Sequence, residues 1–223
     1  MHRSLLSILL LSAFLVTLTP ALAQPADPFT PPPDAPFAPA PIDGRLDEPL
    51  RLLAEVRDRN GDAIGEQYAL LVRALNLRLR VAELRHGLAG SYNIPTRTVT
   101  IAEASLAEDP RFVAAALAHE IKHGDDADYV GLGLLTADCL EIEARGFDVQ
   151  AQIARAFWHD ALPTRTPFEQ ELAALVAIRE RGGLPALRDW VAGHPGYQQS
   201  CTVSAGVPDE ALALGPHRRA GEP

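Results

Sequence analysis

From Asp109 to Asp126 the chain reads Asp-Pro-Arg-Phe-Val-Ala-Ala-Ala-Leu-Ala-His-Glu-Ile-Lys-His-Gly-Asp-Asp. Asp109 before Pro110 suits an N-cap followed by the first helical position. The alanine run favours helix strongly. Phe112, Val113, Ala116, Leu117 and Ile121 form a broad apolar surface, so this helix must be buried. Gly124-Asp125-Asp126 predicts its C-terminal stop. Within it lies His119-Glu120-x-x-His123. Residues four apart on a helix share one face, with Cβ atoms about 5–6 Å apart. Two imidazoles at that spacing can converge on one ion, with Zn–N bonds of about 2.0–2.1 Å. Glu120 projects to the side, where it can take a proton from a metal-bound water. The motif therefore predicts zinc, one ion per chain, with His119 and His123 as ligands and Glu120 as general base. The opposing reading is a helix with two surface histidines and a coincidental glutamate.

The chain begins with Arg3, an apolar run from Leu5 to Leu18, and Ala21-Leu22-Ala23. This pattern predicts a secretory signal peptide over residues 1–23 and an exported protein, periplasmic or secreted. No cysteine follows the cleavage site to suggest a lipid anchor, and no membrane span is expected after cleavage. Pro31-Pro32-Pro33 and Ala38-Pro39-Ala40-Pro41 predict a linker over 24–42. The folded domain is expected over 43–206, and a polar tail over 207–223.

Two helices are expected first, over Asp47–Arg59 and Gly65–Leu75. Leu75, Leu77, Leu79 and Val81 then alternate with polar residues, which is strand spacing. Short strands follow at Tyr92–Ile94 and Thr98–Ile101, so a small sheet precedes the His-Glu-x-x-His helix. An edge strand there could pair with an extended peptide. Beyond a connection over Ala127–Leu135, Asp138 caps a helix to about Trp158, with Glu141 as capping-box partner. That helix carries two apolar stripes and one polar stripe of Glu141, Arg145, Asp148, Gln152 and Arg155. Phe168–Arg181 and Pro185–Ala192 are the last helices, separated by Gly182-Gly183.

A catalytic zinc usually keeps three protein ligands. Glu141 and Glu143 both qualify by type; two apart on a helix, they face nearly opposite ways, and only one can serve. The polar stripe on a well-buried helix needs partners, and a cationic site would supply one for Glu141.

Glu141-Ile142-Glu143-Ala144-Arg145 with Phe147 resembles the Glu-x-x-Ala signature of gluzincin metallopeptidases. In layout the chain is similar to minigluzincin-type domains and to ImmA/IrrE-like peptidases, over roughly Leu75 to Trp158. The resemblance implies an α+β fold: a mainly helical zincin-like domain with a small antiparallel or mixed sheet before the active-site helix. It implies peptide-bond hydrolysis of a peptide or protein substrate, with Glu141 as third ligand. Many relatives carry Asp or Asn where this chain has Arg145, so Asp148, Asp125 or Asp126 would orient a ligand histidine. Tyr197, His194 and Tyr92 are the candidate donors to an oxyanion.

The net charge of −9 becomes −10 without residues 1–23, which carry Arg3 and no acid. That argues against nucleic acid or an anionic membrane as partner. Cys139 and Cys201 can pair in an oxidising compartment. The alternative to a peptidase is a non-catalytic exported metal-binding or interaction domain on the same frame.

Overall fold

The computed structural model describes residues 40–85, 87–194 and 196–197. The expected signal peptide, nearly all of the linker, and the tail lie outside the described residues. Among these residues the fold is α+β, with five α-helices and one three-stranded mixed sheet.

The chain enters through Ala40–Asp43, slightly before the expected domain start at 43. Pro41 O accepts from Leu79 N–H at 3.1 Å, and Asp43 N–H donates to Leu79 O at 2.9 Å. Helix α1 spans Asp47–Glu55 and α2 spans Glu66–Ala74. Helix α1 stops short of Arg59 because Asp58 Oδ1 accepts from the backbone N–H groups of Asn60 and Asp62, which holds a turn instead. Asn76, at φ 51°, ends α2 in the left-handed region. Strand β1 therefore begins at Arg78, not Leu75.

Strand β1 is Arg78–Ala82, β2 is Gly90–Asn93 and β3 is Thr98–Ala102. The order is β1-β3-β2, with β1 parallel and β2 antiparallel to β3. Strand β3 is central and buried at all five positions. Strand β2 is an edge. Ala102 N–H donates to Ala89 O at 2.9 Å. Bonded pairs alternate along an antiparallel ladder. Gly90 and Tyr92 thus turn their N–H and C=O groups to the open edge.

Helix α3, Pro110–Gly131, runs through the middle of the molecule. Asp109 Oδ1 caps it by accepting from Arg111 N–H at 2.9 Å. The expected stop at Gly124–Asp126 is not a stop. Asp126 is fully buried, where it accepts from Lys122 Nζ on its own helix and from the Arg145 guanidinium on the next. Helix geometry through 126 is what lets Asp126 reach both. Ala114, Ala115, Ala116 and Ala118 are all buried, and their small side chains let the sheet and helices approach closely. Leu117 and Ile121, with no exposed area, contribute about 2 kcal/mol each by burial.

Helix α4, Cys139–Phe157, packs on α3 on one side and on α5, Pro167–Gly193, on the other. Asp138 Oδ1 caps α4 through Glu141 N–H at 2.8 Å. The Glu141 carboxylate turns to Arg188 instead of closing a capping box. Helix α5 is two helices joined at Gly183 (φ 61°, ψ −153°), as the Gly182-Gly183 break predicts. No helix among the described residues is long and apolar enough to cross a membrane.

Candidate metal centre

His119 and His123 lie one turn apart on α3, with ring centroids 4.5 Å apart and planes at 84°. Glu143 on α4 meets both. Its Oε2 is 3.7 Å from His119 Nε2, and its Oε1 is 3.7 Å from His123 Nε2. All three side chains are buried, Glu143 to 1% exposure. Together they form a group that could hold a metal ion.

Glu143 takes the place expected of Glu141. Glu141 is 30% exposed, with Oε2 3.5 Å from Arg188 Nε. The reason is helical phase. Residues two positions apart on a helix differ by about 200° in direction, and the face α4 turns to α3 carries Glu143, Gly146 and Gln150. The polar stripe that favoured Glu141 is satisfied without a metal. Arg145 pairs with Asp126, Asp148 with Arg179, and Arg155 with Glu180.

Three residues of α4 surround the His119 ring: Gln150, Gly146 and Phe147. Its Nδ1 lies 3.1 Å from Gln150 Oε1. With the proton on Nδ1 donated to that oxygen, the lone pair falls on Nε2, which faces Glu143. Gly146 lies beneath the same ring. Phe147 packs its edge against it, centroids 4.5 Å apart at 73°. None of the aspartates expected to orient a histidine does so. Asp125 pairs with Lys122, and Asp148 is held by Arg179 and Gln152.

Glu120 is 6% exposed, and its Oε2 has no hydrogen-bond partner among the described residues. Burial pushes its carboxyl up to about 7, with Glu143 adding to that and His119 opposing it. Burial likewise brings His123 down to about 4. For His119, burial acts downward, but the carboxylates of Glu143 and Glu120 outweigh it and the net shift is upward. Neither ring nitrogen of His123 has a hydrogen-bond partner among the described residues. Buried polar atoms are normally satisfied. Two carboxylates and an unpartnered imidazole in one buried group are what a bound cation would stabilise.

The group opens into a partly open cleft that His119, Glu120 and Glu143 help to line. One wall is Leu88 to Gly90, the approach to β2 and its first residue; another is α5. Gly90 lies so close to Glu120 that a Cβ there would fall 2.8 Å from Oε1. Of the three expected oxyanion donors, Tyr197 lines this cleft. Tyr92 packs near Gly124, away from it. His194 stacks beside Tyr197 at 5.4 Å and does not line it.

Sequence reasoning missed Gln150 and Gly146. Their signal was present: Glu143, Gly146 and Gln150 follow i, i+3, i+7 spacing, and a glycine inside a helix marks a close approach. Cys139 opens α4 and is disulfide-bonded. Cys201, its expected partner, lies outside the described residues.

Fold and centre define an α+β protein with a buried His-His-Glu group on two packed helices. Compared with family models, curated proteins and solved structures, the chain matches none.

Proposed function

We propose that this protein is an exported zinc-dependent peptidase of gluzincin type. The observation that carries the reading is the convergence of His119, His123 and Glu143 beside an unpartnered Glu120 oxygen, in a cleft bordered by an open strand edge. The donor set is two imidazole nitrogens and a carboxylate oxygen, a combination suited to a catalytic zinc. Each histidine Nε2 lies 3.7 Å from a Glu143 carboxylate oxygen, and one ligand atom from each of the three residues lies within 4.8 Å of the others, within reach of a single ion.

His119, His123 and Glu143 would hold the zinc, which when bound would supply Lewis acidity to a water and to the scissile carbonyl. The protein's own residues do the rest. Glu120 accepts the proton of the attacking water and returns it to the leaving amine. Gly90 and Tyr92 offer N–H and C=O groups to an extended peptide, which fixes its direction along the cleft. Tyr197 donates a hydrogen bond to the developing oxyanion. Burial first, then the charges of Glu143, Glu171 and Glu120, keep its phenol protonated by raising it well above 10. The apolar run at 5–18, the Ala21-Leu22-Ala23 site and the disulfide-bonded Cys139 support an oxidising, exported location.

Elemental analysis of wild type beside His119→Ala, Glu143→Ala and Glu141→Ala tests the centre. One zinc per chain, lost in the first two variants and kept in the third, is the expected result. Loss in Glu141→Ala with retention in Glu143→Ala would overturn it. Glu120→Gln then separates enzyme from binding domain: zinc stays and hydrolysis of a peptide library falls by at least about 100-fold. A zinc-loaded wild type that cleaves nothing is a metal-binding domain.

A further inference from the structure

We infer that Gly90 is the positioning residue for Glu120: its bare backbone is the wall that fixes the carboxylate beside the strand edge where a peptide pairs. The inference rests on the peptidase reading and deepens it.

Gly90 is the first residue of β2 and is buried. Glycine weakens a strand, and its use there marks a close approach by another group. Its conformation does not require glycine. Among the described residues the glycines with positive φ are Gly61, Gly87, Gly133 and Gly183. What excludes a larger residue at position 90 is space. A Cβ there would fall 2.8 Å from both Cγ and Oε1 of Glu120, and 3.1 Å from Cδ. Non-bonded carbons rest at about 3.5–4.0 Å. The approach runs along the outer half of the Glu120 side chain, so the glycine bounds the carboxylate and not merely one tip of it.

The same fit recurs one step along both elements. Gly90 and Tyr92, two apart on β2, share a strand face, and Glu120 and Gly124, four apart on α3, share a helix face. Gly90 meets Glu120, and Gly124 meets Tyr92, where a Cβ would lie 3.5 Å from Cε2. Small against large alternates across the contact, which locks the register of α3 on β2.

This lock matters because hydrogen bonding does not aim the whole carboxylate. Glu120 Oε2 has no hydrogen-bond partner among the described residues. Strand side chains stand across the direction of the hydrogen bonds. Gly90 therefore meets Glu120 on the sheet face and turns its own N–H and C=O to the open edge. One residue touches both the base and the place of the peptide backbone, and sets the distance between them. A general base works within about 2.6–3.2 Å of the atom whose proton it takes. Restoring normal contact from 2.8 Å would displace the carboxylate by about 0.7 Å. Misplacement by about 1 Å can cost about 100-fold.

The test uses the mature protein with Gly90→Ala, Glu120→Ala and the double variant. Zinc-loaded Gly90→Ala should show kcat lowered at least tenfold on a peptide the wild type cleaves, with KM within twofold and one zinc per chain. Alanine keeps the N–H and C=O that pair with the peptide, so KM is spared. The second readout needs no catalysis. In metal-free protein, Gly90→Ala lowers the urea midpoint when Glu120 is present and does not lower it in the Glu120→Ala background. Unchanged kcat, or a raised KM at unchanged kcat, overturns the role and leaves the peptidase reading standing. An equal loss of stability in both backgrounds also overturns it, including failure of both to fold. If zinc-loaded wild type cleaves no peptide, the peptidase reading falls and this role with it, and the urea midpoints then report a packing contact alone.

Discussion

Gly146 on α4 lies against the imidazole of His119 on α3, so close that a Cβ at 146 would fall 2.8 Å from Nε2. Glu143 and His119 can meet only because this glycine lets the two helices come together. Gly146→Ala should gain helix propensity, about 1 kcal/mol, and lose the histidine's position. The expected outcome is metal affinity lowered at least tenfold with little change in the stability of the metal-free protein. Chelator competition and urea unfolding measure the two separately; unchanged affinity would sink the argument.

Gln150 holds His119 through its Nδ1. Gln150→Leu keeps the approximate volume and removes the acceptor. Metal affinity should fall by about 10–100-fold, the usual effect of losing the group that orients a ligand histidine. Gln150→Glu should retain most of the affinity, since a carboxylate accepts the same hydrogen bond. Titration against a chromophoric chelator distinguishes the two variants.

Arg145 ties α4 to α3 through Asp126, which has no exposed area. Arg145→Ala leaves that carboxylate with Lys122 as its remaining partner. Removing one partner of a buried charge is costly. Because Arg145 is itself partly exposed, the loss should be about 2–3 kcal/mol in urea unfolding, at the lower end of the range for buried pairs. A loss below about 0.5 kcal/mol would mean that the pair is solvent-screened.

Asp43 fastens the chain's entry to β1. Its carboxylate accepts from the Arg45 side chain, Arg45 N–H and Val81 N–H, and these bonds pull it down from 3.8 to about 2. A carboxyl lowered on folding stabilises above its unfolded pKa, and that contribution disappears as pH falls through the folded one. Asp43→Asn should therefore cost about 1 kcal/mol at pH 7, and the difference from wild type should shrink between pH 4 and pH 2. Denaturation curves at pH 7, 4 and 3 would show it; a difference constant with pH would contradict it.

Local signals were legible wherever neighbours in sequence settle the structure. Asp109-Pro110 starts α3, Asp138 caps α4, and Gly182-Gly183 breaks α5, each by chemistry confined to a few residues. The sheet before α3 was visible from alternation at Leu77, Leu79 and Val81. Its mixed order β1-β3-β2 was not, because pairing direction depends on how the chain crosses over. The false stop at Gly124–Asp126 failed for a similar reason. Asp126 looks like a solvent-facing terminator until Arg145, nineteen residues on, is brought against it.

The sequence alone determined that two imidazoles share one helix face with a carboxylate flanking them, because four-residue spacing on a helix is fixed by backbone geometry; that the group is buried came from the packing. Tertiary structure decided which glutamate completes the group. Glu141 and Glu143 are equivalent in chemistry and differ by about 200° in direction. The packing of α4 between α3 and α5 turned Glu143 toward the histidines and Glu141 toward Arg188. That rotation is set by contacts along the whole helix, among them Gly146 under His119 and Arg145 on Asp126, and no local stretch of sequence contains it.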